Sequence, residues 1–200
     1  MPEVTGVRGG RGKARVFVDG EFWAEIDASV ASEHGVFEGA DLSDVELEEA
    51  RVEGERALAM SRALNLLGYR PRSEKEVRER LRRFGHVEEA IEAVVARLLE
   101  TEYLDDAEFA KLMAREKSRK YGPRRVSMEL RRAGVGEEEA AGAVEGEFEG
   151  RSEVEDARGA ASRRYNTGER SDAAARRVYG FLTRRGYSME VCAEVAREYR

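Results

Sequence analysis

The sequence predicts a mainly α-helical protein, with tandem three-helix repeats that form an elongated solenoid and a short N-terminal β-hairpin. Three observations support this fold class. Charged residues make up 38% of the 200 residues and Pro occurs only 3 times, which is typical of helices with exposed charged faces. Residues 14–26 alternate between apolar and other residues, as strands do. Beyond residue 40, a Val-x3-Leu-x3-Gly pattern with helical spacing occurs three times.

The hairpin is predicted within a first segment, residues 1–40. Its alternating runs lie on both sides of Asp19-Gly20, and Asp-Gly suits a two-residue turn because both turn positions require positive φ. Two strands alone are marginally stable in water. We therefore expect the hairpin to pack on the chain that follows, through Phe17, Phe22 and Trp23.

Residues 6–12 are predicted to be a flexible basic arm. The letters GGRGKAR resemble a phosphate-binding loop. The first Gly of that motif is missing, however, and Ala14 stands where Ser or Thr would coordinate Mg²⁺. The stretch also precedes the strands instead of following one, so it predicts no nucleotide site.

The helical repeats begin after residue 40. Ser43 with Glu46, and Ser73 with Glu76, have capping-box spacing, which predicts a helix start at each serine. Each Val/Leu pair of the repeated pattern has i,i+4 spacing, which is the inward stripe of a helix, and each Gly falls where a left-handed residue would end that helix. The three patterns are Val77-Leu81-Gly85, Val126-Leu130-Gly134 and Val178-Leu182-Gly186.

Each pattern has a helical segment before it and another after it, so the unit is three helices in about 50 residues. The predicted repeats are residues 41–104, 105–150 and 151–200. Units this small are hard to stabilise alone, so neighbours should stack. We expect Gly142 and Gly146 to weaken the last helix of the second repeat. The third repeat is looser over residues 164–178, and its middle helix is expected to start a turn early, at Ser171.

Residues 102–109, EYLDDAEF, contain a Tyr-x-Asp-Asp string of the kind that polymerases use to bind catalytic metal. Helical periodicity on both sides argues against that interpretation, because the polymerase motif needs a strand-turn-strand context. Asp105 instead occupies an N-cap position, with Glu108 at N3 and with Leu104 and Phe109 placed for a hydrophobic staple. Asp106 adds negative charge at the positive end of the helix. The pair is predicted to start a helix.

No catalytic constellation is evident. The one cysteine, Cys192, excludes an internal disulfide and a Cys/His metal cluster and suits a reducing cytoplasm. His34 and His86 each lie near a Gly at a predicted helix end, which is a common surface position. The sequence contains neither a signal-peptide pattern nor the roughly 20 apolar residues of a membrane span. We predict a cytoplasmic protein without enzymatic activity, metal or cofactor.

Basic and acidic residues are separated into blocks, although the net charge is −6. Residues 111–135 contain nine basic and two acidic residues, whereas residues 136–156 contain nine acidic residues and one arginine. At about 100° per residue, two basic columns lie about 140° from the Val/Leu stripe and project outward. One column is Lys75, Arg124 and Arg176, and the other is Arg83, Arg132 and Arg184.

A solvated helix face is the ordinary interpretation of such residues. Their recurrence in three repeats, beside an uncompensated basic block, favours a binding surface instead. Arginine suits phosphate or carboxylate because it donates two parallel hydrogen bonds. The candidate partner-binding or DNA-binding residues are Lys75, Arg83, Arg115, Lys117, Arg119, Lys120, Arg124, Arg125, Arg131, Arg132, Arg176 and Arg184.

Residues 63–135 closely resemble the RecX family. The VFVDGEF hairpin ahead of a helical body also fits, and the ordered string of matches is far more specific than any of its parts. The matching residues are Ala63-Leu64, Leu67, Tyr69-Arg70, Arg72-Ser73, Glu76, Leu81, Gly85, Tyr103-Leu104-Asp105-Asp106, Phe109-Ala110, Gly122, Leu130 and Gly134.

This resemblance implies a cytoplasmic bacterial protein that regulates the RecA recombinase in recombination, DNA repair and the SOS response. Family members bind the RecA–DNA filament and restrain its ATPase and strand-exchange activities, and they are not known as enzymes. The implied partners are the RecA filament and, weakly or within the filament, single-stranded DNA; the free protein is expected to be a monomer. Two alternatives stay open: a sequence-specific helix-turn-helix DNA-binding protein, and a helical-repeat adaptor without DNA contact.

Overall fold

The computed structural model describes residues 1–165, 168 and 170–200 of the chain. This part contains ten helices and one three-stranded sheet, joined by turns and loops. The predicted mainly α fold with tandem three-helix repeats is confirmed. None of the helices in this part combines the length and the apolarity needed to cross a bilayer. Internal packing divides the chain into two units, Met1–Leu104 and Asp105–Arg200, which are described separately.

The predicted hairpin belongs to an antiparallel sheet with the strand order β1-β2-β3. The strands are β1 (Val4–Gly10), β2 (Lys13–Val18) and β3 (Glu21–Asp27). Asp19 and Gly20 have φ values of 49° and 86°. The predicted two-residue turn between β2 and β3 is therefore confirmed.

The flexible arm predicted for residues 6–12 is wrong, because most of it lies in β1. Arg11 and Gly12 both have positive φ and form a second tight turn, which lets β1 pair with β2. Val4 anchors the strand, since its side chain is fully buried and its N–H donates to the Ala40 carbonyl at 2.9 Å. Burial and pairing at this residue outweigh the low strand propensity of the glycines.

One face of the sheet packs on α1 (Ala28–Glu33) and α2 (Asp44–Tyr69). Trp23 is half-buried against this core, as predicted. The predicted contacts of Phe17 and Phe22 with it are wrong, and Phe22 is 53% exposed. The strand register shifts between Val16 and Phe17, which makes Trp23 an extra residue. This bulge turns Phe22 to the opposite face of the sheet, where regular alternation along β2 places Phe17.

Two contacts that sequence analysis missed hold α2 in place. A β-carbon at Gly54 would lie 2.4 Å from the Ile26 Cβ, so only glycine lets α2 approach β3 this closely. His86, expected at the surface, has a side chain that is only 8% exposed, and its Nδ1 lies 2.9 Å from Oε1 of Glu55. This contact ties the turn after the second helix of the repeat to α2.

The first repeat packs α2, α3 (Glu74–Arg83) and α4 (Glu88–Glu100) around one core. The predicted helix starts at Ser43 and Ser73 are confirmed. Each hydroxyl accepts a hydrogen bond from the N–H three residues later, at 3.3 Å and 3.2 Å. Ser43 completes a capping box, since its N–H donates to the Glu46 carboxylate at 2.8 Å.

The second unit contains two further three-helix sets, each with its own core. The middle helix of the last set starts after the N-cap Ser171, where it was predicted to start. The looseness predicted for residues 164–178 falls partly on Asn166, Thr167 and Glu169, which lie outside the described residues. The helices are α5 (Asp106–Ser118), α6 (Pro123–Ala133), α7 (Glu137–Phe148), α8 (Glu153–Ser162), α9 (Asp172–Arg185) and α10 (Met189–Arg197).

The repeated Val-x3-Leu-x3-Gly pattern has the same structure in all three repeats. Every Val and Leu of the pattern is fully buried, and Gly85, Gly134 and Gly186 have φ values of 87°, 94° and 83°. The residue after each Gly donates its N–H to the carbonyl of the patterned Leu, at 3.2, 3.2 and 3.3 Å. This bond closes a Schellman motif, so the predicted left-handed helix ends are confirmed.

Asp105 begins α5, as predicted. Its carboxylate accepts a hydrogen bond from the Glu108 N–H at 2.9 Å, and Asp106 lies in the first turn. Leu104 is buried in the core of α2–α4, whereas Phe109 is buried in the core of α5–α7. Within residues 1–165, 168 and 170–200, no three His, Cys, Asp or Glu side chains are grouped so as to hold a metal ion.

Candidate partner-binding surface

The outer face of α6 carries the densest set of predicted site residues. Val126 and Leu130 lie in the core, while Arg124, Arg131 and Arg132 are exposed on the other side of the helix. They border an open groove of about 630 Å³, here called the α6 groove. Its lining is Pro123, Arg124, Ser127, Met128, Arg131, Arg132 and Val144.

The α6 groove combines positive charge with apolar surface. Arg131 pairs with Glu137 at 2.8 Å, and Arg132 lies 3.6 Å from Glu129, yet the two arginine side chains remain 57% and 63% exposed. Exposed ion pairs contribute about 0–1 kcal/mol, so a carboxylate or phosphate of a partner can replace them at little cost. Met128, which is 38% exposed, adds an apolar contact area between the arginines.

The third repeat has an equivalent groove, here called the α9 groove, of about 440 Å³. Offset by 52 residues, Arg176 replaces Arg124, Tyr179 replaces Ser127 and Ala196 replaces Val144. The α9 groove therefore repeats the arrangement of an arginine beside a small apolar floor. Its lining is Asp172, Ala175, Arg176, Tyr179, Ala193, Ala196, Arg197 and Arg200.

The first repeat fills the equivalent position with a bound side chain. Arg78 stands where Ser127 and Tyr179 stand in the later repeats. Its guanidinium pairs with Glu74 at 2.6 Å and also with Glu92 of α4, and its side chain is only 21% exposed. Val95, the counterpart of Val144, is completely buried. We call Glu74, Arg78 and Glu92 the α3 clamp.

The first repeat has a second ion pair further along α3, between Arg82 and Glu88. Arg82 donates two hydrogen bonds to Glu88, of 2.9 and 2.5 Å. This hydrogen bonding lowers the pKa of the Glu88 carboxyl. The pair is the counterpart of Arg131–Glu137, in which Arg131 reaches Glu137 through one hydrogen bond of 2.8 Å. Arg82 is thus held by one more hydrogen bond than its counterpart Arg131.

The remaining predicted site residues lie at several places that neither groove joins. Lys75 and Arg83 are exposed on α3, and Arg184 is exposed on α9. Lys117 is partly buried and pairs with Glu116 at 2.9 Å, whereas Arg115, Arg119 and Lys120 are exposed on α5 and in the turn after it. Of the twelve predicted residues, Arg124, Arg131 and Arg132 line the α6 groove and Arg176 lines the α9 groove.

Arg125, which is also among the predicted binding residues, lies against the third repeat. Its guanidinium pairs with Glu129 at 2.6 Å, and its Cβ and N would meet a β-carbon built at Gly186 at 2.3 and 2.4 Å. A β-carbon at Gly122 would likewise lie 2.8 Å from the Gly186 carbonyl oxygen. The Gly122 N–H donates to the Arg185 carbonyl at 2.8 Å, so two glycines allow direct backbone pairing between the repeats.

Sequence reasoning missed apolar residues of both grooves and two basic residues of the α9 groove. Met128 lies at i+4 from Arg124 and Tyr179 at i+3 from Arg176, so helical spacing alone indicates that each shares a face with its arginine. Arg197 and Arg200 belong to the segment after the repeated pattern, where no column of basic residues recurs. Only the packing of α10 on α9 brings them to the α9 groove.

Two family models match the helical repeats. The model described as RecX, first three-helix domain, matches residues 59–98, and that described as RecX, second three-helix domain, matches residues 105–144. This chain belongs to the RecX family. The resemblance carried by residues 63–135 is therefore confirmed.

Relatives named regulatory protein RecX align with much of the chain. That of Lactobacillus gasseri is 32% identical over 139 residues, which are 68% of this chain and 51% of that protein. That of Listeria monocytogenes is 26% identical over 187 residues, which are 92% of this chain and 69% of that protein. The chain thus spans about half the length of the first relative.

Two crystal structures have a similar fold. One, described as regulatory protein RecX, aligns with a TM-score of 0.68 at 22% identity and covers 98% of each chain. The other is RecX from Lactobacillus salivarius, with a TM-score of 0.62 at 21% identity, covering 72% of this chain and 96% of that one. These likenesses support the fold independently of the family models.

Proposed function

We propose that this protein is a non-enzymatic regulator of a RecA recombinase. It binds the RecA–DNA filament in the cytoplasm and restrains ATP hydrolysis and strand exchange, and so acts in recombination, DNA repair and the SOS response. The free protein is a monomer that contacts single-stranded DNA weakly or within the filament. Membership of the RecX family, whose relatives are named regulatory proteins, supports this proposal.

The proposed mode of binding rests on the residues that line the α6 groove. Arg124, Arg131 and Arg132 offer guanidinium groups that bind carboxylate or phosphate through paired hydrogen bonds. Met128 and Val144 between them offer surface that gains by being buried against apolar side chains. A filament made of protein and DNA presents both kinds of group, which suits this mixed surface better than bare DNA does.

An ATPase titration tests the proposal. RecA with single-stranded DNA and ATP is titrated with the parent protein and with Arg124→Ala combined with Arg132→Ala. We expect the parent to inhibit ATP hydrolysis and the variant to need roughly tenfold more protein for the same inhibition, with a shallower salt dependence. Both arginines are exposed, so circular dichroism and the melting temperature should stay unchanged.

The matched control is Arg56→Ala combined with Arg80→Ala. Both arginines are exposed on helices of the first repeat and lie outside both grooves, so this variant removes the same charge from another place. It should inhibit as the parent does. Equal inhibition by the folded Arg124/Arg132 variant at low and high salt would show that the α6 groove is only a solvated face.

A binding titration of labelled DNA, with and without RecA, separates the two alternative functions. A helix-turn-helix protein would bind particular duplex sequences without RecA and would discriminate by about 1–3 kcal/mol per base pair. An adaptor would bind RecA whether or not DNA is present. Binding that requires both RecA and DNA, and that is indifferent to sequence, supports the filament regulator.

A further inference from the structure

The outer face of the N-terminal sheet, opposite α1 and α2, carries two aromatic rings and two guanidinium groups in one cluster. Phe17 and Phe22 pair across β2 and β3, with ring centroids 5.9 Å apart and the rings edge to face. The Arg8 guanidinium lies 4.9 Å from the Phe17 centroid, and that of Arg15 lies 5.3 Å from the Phe22 centroid. We call these four residues the sheet platform.

The sheet platform is open to solvent. Phe22 is 53% exposed, and Arg8 and Arg15 are exposed. Gly6 and Gly10, which pair with Phe17 and Lys13 on the same face, have no side chains to cover the rings. The bulge at Trp23 is what places Phe22 here, since regular alternation would turn this ring into the core.

Its positive charge is not neutralised within the sheet. Two carboxylates share the face, and both have other partners: Glu25 pairs with Lys13, and Asp27 caps α1 by accepting from backbone N–H groups. Arg8 and Arg15 make no ion pair with any residue in the described part of the chain. The guanidinium groups remain able to bind anions from outside.

We propose that the sheet platform binds single-stranded DNA, with bases stacked on Phe17 and Phe22 and with phosphates bound by Arg8 and Arg15. Aromatic residues on a sheet face bind single strands in this way because every base has a stacking surface, and arginine planes stack on bases as well. Duplex DNA fits poorly, since its bases stack on one another inside the helix. Only the choice of DNA over RNA rests on the proposed function.

The test is a fluorescence anisotropy titration of a labelled oligothymidylate without RecA. We expect the parent protein to bind it at low salt, and we expect Phe22→Ala to raise the Kd about tenfold or more, as loss of one stacked base does. Phe22→Tyr keeps the ring and should restore the parent Kd. Arg8→Ala combined with Arg15→Ala should reduce the slope of log K against log salt by about 1.4, from about 0.7 for each lost phosphate contact.

The matched control is Phe37→Ala, which truncates a phenylalanine that is 63% exposed in the same unit but lies outside the sheet. It should bind as the parent does. No binding by the parent, or equal binding by Phe22→Ala and Phe37→Ala, overturns the proposal. Equal affinity for a duplex overturns the stacking role, and tighter binding of the matching oligouridylate overturns the assignment to DNA.

Because RecA is absent from this titration, its outcome is independent of the ATPase titration. A protein that inhibits RecA but ignores the oligothymidylate keeps the proposed function and loses the sheet platform as a DNA site. A protein that binds the oligothymidylate through Phe22 but leaves RecA unaffected keeps the sheet platform as a DNA site and loses the proposed function.

Discussion

The first and second repeats share one helical pattern but build their third helices differently. The third helix of the first repeat, α4, buries Ile91, Val94 and Leu98. At the counterpart positions, α7 has Ala140, Ala143 and Glu147. Larger apolar side chains bury more surface and stabilise more, at about 25 cal/mol per Å². The third helix of the first repeat therefore contributes the larger apolar core.

The middle helices differ as well, because the first repeat holds an arginine where the second leaves an open groove. In the first repeat the α3 clamp holds Arg78 against Glu74 and Glu92. In the second, Pro123, Ser127 and Ala141 occupy these three positions and leave the α6 groove open. Repeats of one sequence pattern can thus fill or open the same surface position without changing the backbone.

The largest expected effect concerns how the second repeat is supported. Gly85 and Gly186 both end a helix with positive φ, but a β-carbon at Gly85 meets nothing within 4 Å, while one at Gly186 meets Arg125 Cβ at 2.3 Å. We expect Gly85→Ala to destabilise by about 1 kcal/mol through strain alone. Gly186→Ala should cost about 3 kcal/mol or more, because the clash adds to the strain.

Urea unfolding followed by circular dichroism measures both variants. The larger loss for Gly186→Ala should appear as a lower unfolding midpoint, with changed near-ultraviolet signals from Tyr121 or Tyr187 beside the contact. Equal costs for the two substitutions would mean that the pairing of the second and third repeats through these glycines does not contribute to stability.

The next largest effect tests whether the open groove matters for binding. Ser127→Arg combined with Ala141→Glu places in the second repeat the two residues that form the Arg78–Glu92 pair of the first. The new pair should lie across the α6 groove and reduce inhibition of RecA ATPase about tenfold, equivalent to roughly 1.4 kcal/mol of lost binding. Helicity should stay the same, since both positions lie outside the core. Ser127→Ala is the matched control and should inhibit like the parent; inhibition by the filled variant at parent strength would exclude the groove as the contact.

A smaller, opposite effect is expected when the first repeat is made to resemble the second. Glu88→Ala combined with Glu92→Ala removes the α4 partners of Arg82 and Arg78. The released guanidinium groups should strengthen filament binding about two- to threefold at low salt, and the gain should vanish at high salt. Glu38→Ala combined with Glu89→Ala removes the same charge without releasing an arginine hydrogen bond. If both double variants gain equally, the effect is one of net charge and the α3 clamp has no specific role.

The sequence predicted those features whose cause is local. The turn at Asp19-Gly20, the caps at Ser43, Ser73 and Asp105, and the left-handed glycines each depend on a few neighbouring residues. The strand β1 was missed because Val4, not the glycines, decides it through burial and pairing with distant backbone.

The grooves were missed for the same reason at longer range. Whether an arginine is held or open depends on which helix lies beside it, and Arg78 and Glu92 are 14 residues apart. The outward direction of the basic columns follows from helical periodicity, and all six column residues are exposed as expected. Their role in binding stays a prediction, and Arg125 shows that a basic residue next to a column can be used for packing between repeats.

The last prediction concerns stability alone, in the third helix of the second repeat. Both α7 glycines, Gly142 and Gly146, are exposed within a continuous helix, and a β-carbon at either meets nothing within 4 Å. Their counterparts in α4 are Ala93 and Arg97, so the first repeat uses better helix formers at the same places. Alanine at each position should stabilise by about 0.5–1 kcal/mol, because glycine loses more backbone freedom on folding and alanine adds no strain here. The gain should appear as a higher urea midpoint for Gly142→Ala and Gly146→Ala, additive in the double variant.

Gly54→Ala serves as the contrasting helical glycine, since its β-carbon would meet Ile26 Cβ at 2.4 Å, and it should destabilise instead. Inhibition of RecA should be unchanged in both α7 variants, because neither glycine lines the α6 groove. Loss of inhibition with increased stability would instead mean that the filament contact requires a pliable α7, which would extend the binding surface of the second repeat beyond α6.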